Sequence, residues 1–476
     1  MRVSGRRYNL PRATLPRAGK SATVSLTGYR GLDRRTGAAA GRLTVARGVD
    51  PRRLPELVTL KTPGKSAYSI GGTPHSLHPV GDDLFAVSRV GNALRLTRIH
   101  AGVQSSIQWA TTDLNEPRVV LPFQYYSNPD APFNSATRRP MAAIYPENRK
   151  MFTDVSGMEF SDIRRYTDKK IPTLRLGHVY LSRVFGADGD LLYASNFNDA
   201  GGWDFDEAGD ISAAHAWATT SQSGARSAGD FTAITSFGGQ LLAFKENACF
   251  AVYNNRNPFR LSELMTVGAA SGKSVAQTGG YLFFTSARQV YCYDGSTPRE
   301  IGAPLGDIDF SGAIGAGFEG LYYLYVPNAR ELFVYSPATG AWAAMPRFWT
   351  GKIAAMTATA DACLFADTEG TLYTTENAAY GRMEADATPL LPAASAPFRL
   401  FRLRLAIYAA PNATVRISYV DTNGRESSLC DHTAKGGAEW LTSRVLSPAD
   451  YGGTLRFAAE GEVRLGQITL VMQTGE

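Results

Sequence analysis

Three stretches of this chain place residue types at spacings that perform chemistry in other proteins. The first is VGAASGKS, residues 267–274, which nearly spells a phosphate-cradling loop. Such a loop requires a glycine five positions before Gly272, and here Val267 stands there. It also requires a following helix, whose free N–H groups hold the phosphate. The residues after Ser274 instead read as a strand, so the segment is expected to be a turn between repeats and not a nucleotide site. The second stretch is DFDEAGD, residues 204–210, which sets Asp204, Asp206 and Asp210 around Gly209 in partial imitation of a calcium loop. Ala208 occupies a ligand position and His215 stands where the bidentate glutamate belongs, so an aspartate-capped surface loop is expected. The third is GADGD, residues 186–190, where Asp188 and Asp190 flank what reads as a hairpin turn.

The six histidines, His75, His78, His100, His178, His215 and His432, are scattered. His75 and His78 lie close together, but no carboxylate or cysteine cluster accompanies them. There is no CxxC pair and no GxSxG elbow. The residues taken alone therefore point to no catalytic, cofactor-binding or metal-ligating set, and the expectation is a chain without cofactor that is not an enzyme. Carboxylates brought together from separate repeats for glycoside hydrolysis would leave no trace in the sequence.

The elements that would carry such residues are strands. The segments LLAF, YLFF, LYYLYV and CLFA, each preceded by a short apolar strand and a turn, recur in the second half of the chain. Phe237-Gly238-Gly239 and Thr278-Gly279-Gly280 are two of those turns. A third strand follows each run: CFAVY, QVYCY, LFVY and TLYTT. Looser copies cover 66–100, 118–155 and 178–205. Repeats of roughly 35–45 residues with this skeleton are the signature of four-stranded propeller blades, none of which can bury its own apolar face. Unrelated hairpins in two sandwiches would be the other explanation, but the unit length holds over the last four copies. Residues 156–177 read as an inserted loop.

Composition agrees. The chain has 476 residues, enough for two or three cores, with 47 glycines, 25 prolines and 51 aromatics, and only 19% charged residues. Residues 1–56 carry thirteen basic side chains, Arg2, Arg6, Arg7, Arg12, Arg17, Lys20, Arg30, Arg34, Arg35, Arg42, Arg47, Arg52 and Arg53, against Asp33, Asp50 and Glu56. The total is +6, so the remaining residues sum to −4. A basic arm of this kind docks on an acidic neighbour, or on nucleic acid, which it alone would contact. No apolar run is long enough for a membrane span or a secretory signal. Cys249, Cys292, Cys363 and Cys430 are far apart in sequence and read as reduced, mostly buried thiols of a cytosolic product.

A Pro/Ala-rich stretch, 385–396, reads as a linker. Beyond it RLRLAIYA alternates Leu403, Leu405 and Ile407 inward against Arg402, Arg404 and Ala406 outward. ATVRISYVDTNGRESS alternates Val415, Ile417 and Tyr419 and turns at Asn423-Gly424, and two further strands flank Glu460-Gly461. The expected fold is all-β: a basic N-terminal arm over 1–55, a six- to seven-bladed β-propeller over 56–388, and a small C-terminal β-sandwich over 397–476.

Several stretches in order resemble a family of tailed-bacteriophage virion proteins with a propeller body, from the tail or head–tail connector region. They are GYRGLDRRTGAAAGRLTVARGVDPRRLPELV (28–58), SRVFGADGDLLYASNFNDAGGWDF, GDFTAITSFGGQLLAFKENACFAVY and GGYLFFTSARQVYCYDGSTPREIG, with its Tyr-Asp-Gly-Ser-x-Pro turn. The C-terminal domain resembles one appended in members from phages and prophages of Gram-positive gut bacteria. The resemblance implies a structural part of the virion tail or neck, made in the bacterial host cytoplasm. Its partners would be other virion proteins and copies of itself. A receptor- or carbohydrate-binding module at the tail tip, using outward aromatics of the sandwich or the open propeller face, is the alternative.

Overall fold

The computed structural model describes residues 21–26, 29–35, 41–110, 119–126, 138–147, 150–153, 164–166, 171–205, 212–219, 228–387, 397–444 and 453–474. It is all-β, and the described residues fall into two units: those among 33–35 and 61–379, and those among 21–32, 41–60 and 380–474.

The larger unit is propeller-like. It is a succession of antiparallel runs of four strands, each meandering away from its first strand. The first strands are Thr73–Val80, Val119–Tyr126, Leu176–Tyr180, Phe231–Phe237, Ala276–Thr278, Ile314–Phe318 and Ile353–Ala358. Each neighbours the next, with the Gly272–Ser274 turn making the contact to Phe231–Phe237, and Ile353–Ala358 returns to Thr73–Val80. The circle is closed by the first strand of the unit itself. Lys61–Ser69 is the outer strand of the last sheet, beside Thr371–Tyr380, and Ile70 N donates to Gly370 O at 3.0 Å. The repeat that the sequence placed at 66–100 therefore begins at Thr73, because its first residues complete a different sheet.

The recurring apolar runs form the second strand of each sheet, buried on both faces. Leu241–Phe244, Leu282–Phe284, Leu321–Val326 and Cys363–Ala366 fill the space between neighbouring sheets. Aromatics bridge from sheet to sheet there. Phe244 meets Phe284 at 5.1 Å, Phe283 stacks on Tyr322 at 4.6 Å with the rings 10° apart, and Tyr323 meets Phe365 at 5.7 Å. Each such pair contributes about 0.5–1.5 kcal/mol beyond its area. Trp342 Nε1 donates to Ile301 O (2.7 Å) and Tyr322 Oη to Ser274 O (2.9 Å), which leaves these large rings with their polar atoms satisfied. Arg164–Tyr166 pairs with Lys150–Thr153 as a fourth strand. So part of the segment read as an inserted loop is blade, a short strand hidden by its charged composition.

The smaller unit holds two sheets. One runs Ser21–Leu26, Val463–Thr474, Phe398–Ala409, Gly437–Arg444, with Leu57–Val58 also on Val463–Thr474. The other runs Leu43–Arg47, Arg382–Ala387, Gly453–Glu460, Thr414–Asp421, Glu426–Thr433. Leu403, Leu405, Ile407, Val415, Ile417 and Tyr419 are buried, following the alternation in the sequence. Glu460-Gly461 joins strands of different sheets and is not a paired hairpin. Two boundaries differ from the three-part reading. Arg382–Ala387, assigned to linker and propeller, is a strand of this unit, because Met383, Ala385 and Ala387 alternate into its core. Leu43–Arg47, assigned to the basic arm, and Leu57–Val58, assigned to the propeller, are likewise strands here, since Leu43, Ala46 and Leu57 bury while Arg52 and Arg53 between them stay exposed.

Candidate functional site: the axial cavity of the larger unit

First strands of four sheets and the Gly272–Ser274 turn enclose a cavity of about 430 Å³. They come close because one of them, Ile314–Phe318, carries glycine at two positions where it meets its neighbours. A methyl group at Gly317 would stand 2.1 Å from Gln277 O, and one at Gly315 2.5 Å from Ser274 O. The polar lining is His75, Ser76, His78, Lys273, Gln277 and Thr357, with no carboxylate among the lining residues.

Lys273 supplies the positive charge. Its side chain is exposed to the cavity, and desolvation by the surrounding walls lowers its pKa. Nζ donates to His75 O at 2.8 Å. His78 Nε2 and Ser76 Oγ are 2.8 Å apart. Burial, then the Lys273 charge, lowers the His78 pKa from 6.5 to about 4, so the ring is neutral at pH 7. Gln277 is fixed by its amide, which donates to Thr235 Oγ1 (2.9 Å) and Ser236 O (2.6 Å). Ser236 Oγ in turn meets His178 Nε2 at 2.9 Å, and burial lowers that imidazole to about 4 as well. At neutral pH the cavity thus offers hydrogen bonds around a single cation. Neutral imidazoles this weakly basic accept protons reluctantly.

The residues weighed in the sequence are distributed as follows. Gly272–Ser274 forms a 3-10 turn followed by a strand, and Lys273 reaches the cavity. Asp204 accepts from Asn196 Nδ2 at 2.9 Å. Asp206, Ala208, Gly209 and Asp210 lie outside the described residues. Asp188 pairs with Arg175 at 2.8 Å beside the predicted hairpin turn. His100 contacts Asp83, which also holds Arg98 at 2.8 Å, and His432 meets Glu439 at 3.0 Å. Of the basic segment, Arg34 pairs with Glu331, Arg35 with Asp33 and Arg52 with Asp50. Arg2, Arg6, Arg7, Arg12, Arg17 and Lys20 lie outside the described residues. The four cysteines are free thiols in strands, three of them buried and Cys430 half-buried. Among the described residues no helix is long and apolar enough to cross a membrane. The sequence missed that Lys273 joins His75 and His78, because they are 198 and 195 positions apart and meet only when the circle closes.

No protein-family model matches the chain, and no curated protein does. Solved structures similar to it include a selenomethionine-substituted virginiamycin B lyase from Staphylococcus aureus, at 9% identity and TM-score 0.42, covering 66% of this chain and 98% of that one. A streptogramin B lyase is similar at 10% and 0.41, covering 66% and 96%. A computationally designed protein, Ika8, is similar at 11% and 0.38, covering 65% and 99%. The expectation that the chain is not an enzyme is corrected here: two of these three propeller-like neighbours are lyases, so a body of this kind is no ground for excluding catalysis. Likenesses this distant carry no argument about what this chain binds or acts on.

Proposed function

We propose that the chain is a structural component of a bacteriophage virion, in the tail or neck, built from a seven-bladed β-propeller and a β-sandwich. Seven successive antiparallel runs of four strands among the described residues, whose first strands neighbour one another in a circle that returns to its start, support the blade count. The two runs of strands in the smaller unit, each with its alternating apolar residues buried, support the sandwich. The observation that carries the virion reading is the ordered series of motifs over residues 28–302, of which the last three fall on three successive sheets and which together resemble phage propeller proteins. The protein is made in the host cytoplasm and assembles with other virion proteins and with copies of itself. Four free, unpaired cysteines suit synthesis in a reducing compartment. The test is cryo-electron microscopy of purified particles, with mass spectrometry of the same preparation. Ring-shaped density in the tail or neck is expected. Absence of the chain from intact infectious particles would overturn the proposal.

A further inference from the structure

We propose that the outward face of the Phe398–Ala409 and Gly437–Arg444 strands binds an anionic glycan, one that bears carboxylates on some of its sugars. This inference stands independently of the virion reading. The two strands run antiparallel with Arg402 opposite Arg444, Arg404 opposite Thr442, Ala406 opposite Trp440 and Tyr408 opposite Ala438. With Leu403, Leu405 and Ile407 turned into the core, the other face presents Arg402, Arg404 and Tyr408, together with Trp440 and Arg444 from the neighbour.

Trp440 is 77% exposed and Tyr408 56%, the highest values for large hydrophobic side chains among the described residues. They are diagonal neighbours across one strand pair, close enough to form a continuous platform. An exposed tryptophan forgoes the burial that usually stabilises it, and a flat aromatic pair suits the apolar face of a sugar ring.

The arginines supply the charge selection. Arg402 and Arg444 stand directly opposite, an arrangement of like charges that costs stability unless an anion lies between them. Four other arginines of this unit have carboxylates: Arg382 with Glu384, Arg416 with Asp431, Arg456 with Asp386 and Glu426, Arg464 with Glu56. Among the described residues Arg402, Arg404 and Arg444 pair with none. A guanidinium fork fits a carboxylate in bidentate fashion. Four residues separate Arg402 from the position opposite Trp440, roughly 13 Å along the strand, so an oligosaccharide and not a single sugar spans the face. A nucleic acid would also stack on the aromatics. But the cations Arg402, Arg404 and Arg444 stand at one end of the face, while Ala406, Tyr408, Ala438 and Trp440 along the rest carry no charge, so a ligand charged at every unit leaves most of its charges unmatched. A glycan charged at intervals does not.

The test uses the full chain and tryptophan fluorescence with calorimetry. Oligogalacturonate, hyaluronan fragments and polysialic acid are the carboxylated probes, and dextran and oligo(dT) the neutral and polyphosphate ones. At least one carboxylated glycan is expected to bind, more weakly at high salt, with dextran and oligo(dT) weaker. Trp440→Ala should weaken that binding roughly tenfold, and Arg402→Gln with Arg444→Gln should weaken it while flattening its salt dependence. None of the three positions is buried, so the variants should melt with the parent. The proposal fails if none of the three carboxylated glycans binds, if oligo(dT) binds better than all of them, or if Trp440→Ala leaves the affinity unchanged.

Discussion

Replacing Gly272 by alanine asks whether the sheets meet as tightly as the cavity geometry requires. The added carbon would lie 1.7 Å from Thr232 O and 2.7 Å from Thr232 C, where real contacts essentially never fall under 3.0 Å. The backbones must therefore part by about 1.3 Å, the difference between those two distances. Neither side is free to move. Ser271 Oγ donates to Ala313 O, Ser274 Oγ to Ser271 O, and Thr232 Oγ1 to Ala269 O, each at 2.7 Å. Overpacking a fixed interior costs about 1–3 kcal/mol. Disturbing one of these hydrogen bonds adds about 1 kcal/mol, so the expected loss is about 3 kcal/mol. Gly238→Ala is the matched control. Gly238 sits in a hairpin turn at φ 57° with no atom within 4 Å of a new methyl, so its penalty is conformational alone, about 1 kcal/mol. The assay is thermal and urea unfolding of both variants beside the parent. Gly272→Ala should show the larger drop in midpoint by both methods. The reasoning is refuted if Gly272→Ala unfolds with the parent, or later than Gly238→Ala.

Two further outcomes follow from buried charge. Asp83 and Arg98 are both under a tenth exposed and paired at 2.8 Å, so Asp83→Ala leaves an uncompensated cation and should cost about 3–5 kcal/mol; adding Arg98→Met should recover part of that loss in the same unfolding assay, and no recovery would show that the pair is not coupled. His78 and His178 both titrate at about 4, below the 6.5 of a free imidazole; the unfolded chain then takes up protons first, so the stability these rings lend is whole above pH 6.5 and drains away as pH falls toward 4, by about 3 kcal/mol for each. The double variant His78→Gln, His178→Gln should flatten the unfolding midpoint over that pH range, and an unchanged pH profile would remove the histidines from the account.

What the sequence disclosed and what it concealed divide along a physical line. The apolar runs and Gly-Gly turns were legible because the strand that is buried on both faces must be apolar throughout, and a two-residue hairpin must use residues that tolerate positive φ; Gly279 and Gly280, at φ 59° and 80°, sit in such a turn. Strands at the periphery of a sheet carry no such demand. Arg164–Tyr166 is charged and short, and Lys61–Ser69 alternates only weakly, with Pro63 as its buried position. Their placement depends on which neighbour leaves an unpaired edge, a property of the closed circle and not of the local residues. The same holds for the cavity. Lys273 has its meaning from His75 and His78, and the three meet only because Lys61–Ser69 joins Thr371–Tyr380 in one sheet. The first and last strands of the larger unit are thus hydrogen-bonded neighbours, and parting them is the step that opens the circle. A local pattern cannot encode a site assembled by closure, so a reading of repeats finds the walls of this cavity before it finds the charge inside.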